Sequence, residues 1–409
     1  MKNCLFEDKL TKDMATPFFV LDLPCLYEEV EKIKKAIKQH WPNTIIAYSV
    51  KTNSLPFLAK IMCEQGLFAE VVSQDEYDMV NLCGYNSNNV VCNGPVKSKD
   101  FIINLMDNHA IINIDSHREI DFIKEHALQK ANEKFSVGIR VNVDVEKYFP
   151  KESKAGNQGS RFGFCMENNE LNNAICSLQA IPNVSINGLH LHVSTSTRRV
   201  EIYRWLSKTF ASIVRKFKLN DIQYFDIGGG FYGGIPEKPQ WEDYLETICD
   251  ELNREGFCCE LLTLIMEPGV SLLAGAFSYY TRVVDVKETN RSRFVVTDGS
   301  RIHIDPFFHK KNYYYQYYKL KDVTTLRHPK QIIVGFTCLE YDNIMELDNY
   351  ENITVGDMFR FDKLGAYTLS LSPQFISFSP AVYAVGKDKR IECVRRKLMA
   401  QDFVSGSLI

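Results

Sequence analysis

A chain of 409 residues with a formal net charge of −3, 45% hydrophobic and 24% charged, is long enough for one large domain and a smaller one. Near-neutral charge excludes a nucleic-acid binder that works through bulk electrostatics, and no apolar run approaches the ~20 residues that cross a membrane. The opening segment is broken by charges, and the twelve cysteines show no CxxC spacing, so a cytoplasmic protein with reduced thiols, no signal peptide and no metal site is expected.

In chain order, "PFFVLDLPCL" reads as a strand leading into the helix "YEEVEKIKKAIKQHW". Short apolar runs then recur: "IIAYSVK" (45–51), "AEVVS" (69–73), "NVVCNGP" (89–95) and "AIINID" (110–115). "SVGIRVNVD" (136–144), "NGLHLHVS" (187–194), "QYFDIGGG" (223–230) and "TLIMEPG" (263–269) supply four more. Between them, "LPFLAKIMCEQ", "DEYDMVNLCGY", "SHREIDFIKEHAL", "VEIYRWLSKTFASIVRKF" and "WEDYLETICDELNREG" carry apolar residues at helical spacing. Eight apolar strands alternating with helices predict a parallel sheet closed into a (β/α)8 TIM barrel. After Gly269 the long helices stop. "FSYYTRVVDVKETNRSRFVVTDG", "QIIVGFTC", "ITVGDMFRFDK" and "AVYAVGKDKRIECVRR" predict a C-terminal all-β domain. The expected division is 1–24 joining the β-domain, 25–270 as the barrel and 271–409 as the β-domain. The tyrosine-rich 313–318 fits core, a dimer contact or a pocket wall equally well.

In such barrels the reactive groups gather at the C-terminal ends of the strands. Those ends carry Lys51, Glu70, Ser73, Asn93, Asp115, Arg140, His192, Gly228 to Gly230 and Glu267. Lys51 follows six apolar residues; a lysine there either surfaces with the strand or is paired or used chemically. The three glycines after the seventh strand fit a tight turn or a phosphate cradle. Glu267 fits a rim charge or an acidic partner for a ligand. A lysine amine, an anion cradle, a carboxylate and a histidine face at one mouth suit pyridoxal 5′-phosphate, which needs an amine, anion donors and an acid beside its ring nitrogen.

These segments, taken together, resemble the alanine-racemase-like (fold type III) pyridoxal phosphate decarboxylases, the group that includes the ornithine, arginine, lysine and diaminopimelate enzymes. The resemblance spans about Pro17 to Val394. "YSVKTN" resembles the Schiff-base segment and implies Lys51 as the cofactor lysine. "AEVVSQDE" implies that Glu70 orients that lysine, with Glu76 nearby. "GIRVN", "SRFGF" and "LHLHVSTS" match further motifs. They imply cofactor contacts for Arg140, His192 (stacked on the ring) and Thr195. "DIGGGF" implies Gly228, Gly229 and Gly230 as the phosphate turn, and Glu267 as the partner of the ring nitrogen. In the β-domain "GFTCLEYD" implies Cys338 as the acid that returns a proton to Cα, reaching the site from a neighbouring subunit of a homodimer. Asp342 and Glu340 then fall where a substrate amine is bound, Tyr367 of "LGAYT" where the cofactor phosphate is contacted, and Phe375 on the pocket wall.

Two departures stand out. Val270 replaces the arginine that usually follows E-P-G, and Leu339 replaces the acidic residue after the family cysteine. Arg198 or Arg199 is a candidate for the missing cation. The resemblance thus implies α-decarboxylation of a small amino acid of the ornithine, lysine or diaminopimelate kind, in polyamine or lysine biosynthesis. A modified or conjugated amino acid, a racemase and a non-catalytic homologue are the alternatives.

Overall fold

The computed structural model describes residues 14–320 and 326–408. The expectation of no signal segment rests largely on residues 1–13, which lie outside the described residues. The chain divides into two compact units, Glu29–Leu272 and the remainder, Met1–Glu28 with Leu273–Ile409.

The chain enters through β1 (Phe18–Asp22) and α1 (Leu23–His40). The first unit is a closed eight-stranded parallel barrel. Its strands are β2 (Thr44–Ser49), β3 (Phe68–Val71), β4 (Val90–Cys92), β5 (Ile111–Ile114), β6 (Phe135–Asn142), β8 (Val184–His190), β9 (Tyr224–Asp226) and β10 (Thr263–Met266). The two-residue β7 (Phe164–Cys165) pairs outside the ring on β6, and β5–β6 pairing closes the circle. All eight strands expected from the apolar runs form.

The helices between the strands each carry an apolar stripe, and some of them begin at a capping side chain. These helices are α2 (Pro56–Glu64), α3 (Gln74–Leu82), α4 (Lys99–Asp107), α5 (His117–Gln129), α6 (Glu170–Gln179), α7 (Val200–Phe217) and α8 (Trp241–Arg254). Ser73 caps α3 by accepting the N–H of Glu76 at 3.2 Å, and Ser98 caps α4 by accepting that of Phe101 at 3.2 Å. In α7, Ile202, Leu206, Phe210 and Ile213 recur at three- and four-residue intervals and are all buried. Each such side chain removed from water contributes roughly 1.5–3 kcal/mol.

The barrel interior is plugged by side chains. Tyr224 packs with Ala47, Val91 and Ile265. Its ring needs the space that glycine leaves: a Cβ at Gly138 or at Gly188 would come within 2.0 Å of Tyr224. Its hydroxyl donates to Asn113 Oδ1 at 2.9 Å. A phenol in the interior is thus satisfied by a neighbouring strand, as a buried polar group must be.

The second unit is a nine-stranded mixed sheet. β11 (Phe277–Glu288), β12 (Arg293–Thr297), β13 (Tyr314–Tyr318), β14 (Arg327–Val334), β15 (Asn343–Glu351), β16 (Met358–Asp362), β17 (Ala381–Val385) and β18 (Ile391–Arg395) join β1 in it. The order is β15-β14-β12-β11-β1-β17-β18, with β16 on β11 and β13 on β16. The N-terminal strand therefore sits within the C-terminal sheet, antiparallel to β11 and parallel to β17. Phe18 stacks on Tyr280 at 5.0 Å and meets Tyr383 edge-on at 5.6 Å. The tyrosine-rich segment is β13, paired with β16.

Candidate active site

Lys51 does not sit on a strand. β2 ends at Ser49 and the chain turns through a single 3₁₀ turn, Val50–Thr52, which brings the Lys51 side chain to the barrel rim, 40% exposed. The Asn53 N–H closes the turn on the Val50 carbonyl at 3.0 Å. The Lys51 ammonium donates to the fully buried carboxylate of Glu70 on β3. Glu70 also accepts Ser49 Oγ at 2.7 Å and Asn93 Nδ2 at 3.2 Å. Burial pushes the Glu70 carboxyl up, but the Lys51 charge and these three donors outweigh it, and the group lies below the usual carboxylate range.

Asn93 on the far side of β4 continues the chain to Glu267. Glu267 is buried just past β10, and its carboxyl is pushed well above the ordinary range by burial, then by the nearby Asp226 and Glu70 charges. Asp226, at the end of β9, is pushed up to about 7, first by burial. The two carboxyls are close enough to share a hydrogen bond, so together they hold a proton at neutral pH. Asn113 on β5 ties the floor together, donating to Asp226 Oδ2 at 2.8 Å and to Asn93 Oδ1 at 2.9 Å. His190 lies beside this pair, Nε2 3.7 Å from Glu267, and desolvation keeps its ring neutral.

His192 stands two residues beyond β8. Its Nδ1 accepts the Gly229 N–H at 3.1 Å, which fixes the remaining proton on Nε2. Desolvation, then the Arg140 and Lys51 charges, push its pKa down to about 3, so the ring is neutral. Gly228 and Gly230 have φ of +69° and +86°, and a Cβ at Gly228 would lie 2.5 Å from His192. Only glycine fits this turn against the imidazole. A Cβ at Gly229 would meet the Glu267 carbonyl at 2.4 Å. The turn's carbonyls are engaged from behind: Tyr203 donates to Gly229 O at 3.1 Å and Arg198 to Phe231 O at 3.2 Å. Among the described residues the Gly230 and Phe231 N–H groups meet no protein acceptor, which leaves two backbone donors at this turn.

The other expected residues are placed as follows. Arg140, buried at β6, pairs with Asp115 at 3.4 Å and stacks on Phe162 at 4.7 Å. Thr195 is buried and bridges to Ser153. Glu76 accepts the Val72 N–H at 2.8 Å and belongs to the cap of α3. Val270 opens a four-residue helix directly after the Glu267 turn. In the other unit Cys338 and Glu340 are exposed on the connection between β14 and β15. Asp342 is buried there, accepting from Ser300 Oγ (2.8 Å), Arg301 N (2.8 Å), Thr337 Oγ1 (2.6 Å) and Thr337 N (3.2 Å). Tyr367 holds φ of +56° and is 38% exposed, and Phe375 is half-buried. The barrel rim thus gathers Lys51, Glu70, Arg140, His192, the glycine turn and Glu267. Cys338, Glu340, Asp342, Tyr367 and Phe375 belong to the sheet unit. Sequence reasoning missed Asp226, Asn113 and His190.

A closed parallel barrel with an amine, an anion turn and a proton-holding carboxyl at its C-terminal rim defines a barrel enzyme built for a phosphorylated carbonyl cofactor. The profile of the family described as "Pyridoxal-dependent decarboxylase, pyridoxal binding domain" matches residues 27–274, and the chain belongs to this family. It is a pyridoxal 5′-phosphate-dependent carboxy-lyase. Among its relatives is the diaminopimelate decarboxylase of Aquifex aeolicus, 26% identical over 95% of this chain and 91% of that one. Another is the L-glutamyl-[BtrI acyl-carrier protein] decarboxylase of Niallia circulans, 25% identical over 98% and 95%. The crystal structure of diaminopimelate decarboxylase from Methanocaldococcus jannaschii superposes with a TM-score of 0.85 at 23% identity, covering 99% of this chain and 94% of that one.

The residues present fit the cofactor. The glycine turn is a cradle that any Cβ would fill, its two unengaged N–H groups suit a phosphate, and Glu267 is a buried carboxyl of raised pKa, the kind of group that could serve a basic ring nitrogen.

Proposed function

We propose that the chain removes the α-carboxylate of an amino acid of the diaminopimelate, lysine or ornithine kind. The observation that carries this reading is the unbroken chain Lys51–Glu70–Asn93–Glu267 at the rim. When bound, pyridoxal phosphate supplies the aldehyde that takes up the substrate amine and the ring that accepts the electron pair released as CO2 leaves.

The residues divide the remaining work. Lys51 offers the amine that holds the cofactor, and Glu70 keeps it oriented. His192, neutral and fixed by Gly229, presents a flat face. Glu267 holds the proton at the ring nitrogen, and Asp226 is the second carboxyl between which that proton is shared. Gly228 to Gly230, with Thr195, Arg140 and Tyr367, serve the phosphate and the rim. Cys338 returns the proton that replaces the carboxylate at Cα, supplied by a second copy of the chain in a homodimer. Asp342 holds the loop that carries Cys338, leaving the exposed Glu340, with Phe375, to meet the substrate. The unit Glu29–Leu272 is the cofactor-binding one. No helix among the described residues is long and apolar enough to cross a membrane, in keeping with a cytoplasmic enzyme.

A second reading takes a conjugated amino acid as substrate. The barrel unit has a cavity of about 960 Å³ beside His192, at the upper end of the ~300–1,000 Å³ usual for small-molecule sites. The relative from Niallia circulans is named for a carrier-bound substrate. The family assignment favours neither a racemase nor a non-catalytic relative.

The test is CO2 release from meso-diaminopimelate, lysine, ornithine and arginine, and from a carrier-bound amino acid. Mixing Lys51→Ala with Cys338→Ala protomers should restore part of the activity. No CO2 from any of these substrates, or no recovery on mixing, would remove the corresponding part of the proposal.

A further inference from the structure

Strand register arranges the inner face of the barrel in layers. Gly138 on β6 pairs with Gly188 on β8, and Gly188 with Tyr224 on β9. One step further along, Arg140 pairs with His190 and His190 with Asp226. Residues two apart on a strand share a face, so His190 lies one layer above Tyr224 and next to His192. The two imidazoles are near parallel, 24° apart with centroids separated by 6.2 Å. His190 is 1% exposed, and among the described residues neither of its ring nitrogens makes a hydrogen bond. Leaving both nitrogens bare in the interior is destabilising.

What the ring faces is a carboxyl pair. One nitrogen or oxygen from each of His190, Asp226 and Glu267 lies within 4.8 Å of the others. Three of the four carboxyl oxygens already have donors. Asp226 Oδ1 accepts the Gly228 N–H at 2.9 Å, Oδ2 accepts Asn113 Nδ2 at 2.8 Å, and Glu267 Oε1 accepts Asn93 Nδ2. The oxygen that Asn93 leaves, Glu267 Oε2, faces His190 Nε2 at 3.7 Å, just beyond hydrogen-bond length. The other titratable groups around the imidazole are Arg140, His192, Lys51 and Lys97; around the carboxyls they are Glu70, Lys51 and Tyr224. Burial first, and then the surrounding positive groups, hold the imidazole neutral, so it can offer an N–H without bringing a charge.

We propose that His190 is a positioning residue for the decarboxylation: it keeps its proton on Nε2 and donates a hydrogen bond to Glu267 Oε2 whenever Glu267 is ionised. No proton changes hands in this contact. The bond steadies the carboxylate beside the cofactor's ring nitrogen and makes the proton shared by Asp226 and Glu267 easier to release. This rests on the assignment of Glu267 to that ring nitrogen.

The first arm of the experiment uses cofactor-free enzyme. A raised carboxyl pKa makes Tm fall as the shared proton leaves with rising pH, and a donor to the carboxylate moves that fall to lower pH. In His190→Phe the fall is expected at a pH higher by about one unit, the preference that one hydrogen bond confers. His190→Gln, whose amide restores an N–H donor, is expected to keep the wild-type midpoint. An unchanged midpoint in His190→Phe overturns the proposal. The second arm reads wild type directly, by NMR of the labelled histidine ring nitrogens, with the His190 signal identified by its loss in His190→Gln. A neutral ring protonated on Nε2 at neutral pH is expected; a proton on Nδ1, or a charged ring, overturns the proposal. In the loaded enzyme, kcat for CO2 release is expected to fall about tenfold in His190→Phe with KM little changed, and to recover in His190→Gln. Activity kept by His190→Phe and lost in His190→Gln means that the ring only fills space, and overturns it. The first two arms need neither cofactor nor substrate, so their failure is distinct from failure of the Glu267 assignment or of the decarboxylase reading.

Discussion

Nδ1 of His192 accepts the backbone N–H of Gly229 at 3.1 Å, tying the segment after β8 to the glycine turn after β9. This one bond orients the imidazole and sets its tautomer, and the close approach it requires leaves no room for a side chain at Gly228. Gly228→Ala should therefore act on the histidine and the glycine turn together. A methyl 2.5 Å from His192, at φ +69°, must displace one of them. Cofactor affinity, read by absorbance titration, should fall more than tenfold, with a lowered Tm. Unchanged affinity would mean that the turn does not hold the cofactor.

Lys51→Ala should abolish the visible absorbance of the reconstituted protein and any borohydride-reducible adduct. It also strands the Glu70 carboxylate, so the cofactor-free variant should melt lower than wild type at pH 7. In wild type the Glu70 pKa is depressed, so its contribution to stability is present above the ordinary glutamate pKa and is lost as pH falls through the folded value. The Tm gap between wild type and Lys51→Ala should accordingly narrow as the pH is lowered. A gap that widens in acid would contradict this pairing.

Asp226 gives the opposite sign. Its folded pKa is raised to about 7, so the stability tied to it is complete below the ordinary aspartate pKa (~3.9) and is lost as pH rises through about 7. Cofactor-free enzyme should lose Tm between pH 5 and pH 8, and Asp226→Asn should flatten that slope. Thermal melts across the range decide it; an equally steep slope in the variant would place the responsible group elsewhere.

Away from the rim, Lys97 and Glu119 form an ion pair at 3.1 Å with both side chains fully buried. Lys97 also donates to Gly94 O at 2.7 Å, and Glu119 accepts the Asp115 N–H at 2.7 Å. Lys97→Met leaves a carboxylate in the interior and should cost about 3–5 kcal/mol in denaturant unfolding. Lys97→Met with Glu119→Gln should recover part of this. A double variant as unstable as the sum of the single ones would show that the pair is not coupled.

Much of the barrel was legible because each of its strands is a continuous apolar run that ends in a polar residue, and the rim is the list of those endings. Lys51 was legible for the same reason, although the 3₁₀ turn that carries it was hidden inside an apparent strand. The floor was not. Asn113, Asp226 and Tyr224 acquire meaning only when strands far apart in the chain are brought side by side. The available signals were the asparagine interrupting "AIINID" and the aspartate just before the glycines. Helix α4 escaped because "FIINLM" is as apolar as a strand, and only the Ser98 cap decides for a helix. Strand β15 escaped because an edge strand keeps its polar residues, with Ile344 and Leu347 alone buried deeply.

Tyr224, seated in the room left by two glycines and packed with Ala47, Val91 and Ile265, fills the barrel interior beneath the rim. The barrel is consequently a well rather than a tube. Side chains occupy the space between the strands, so a molecule can be handled only where the strands run out, among Lys51, His192 and Glu267.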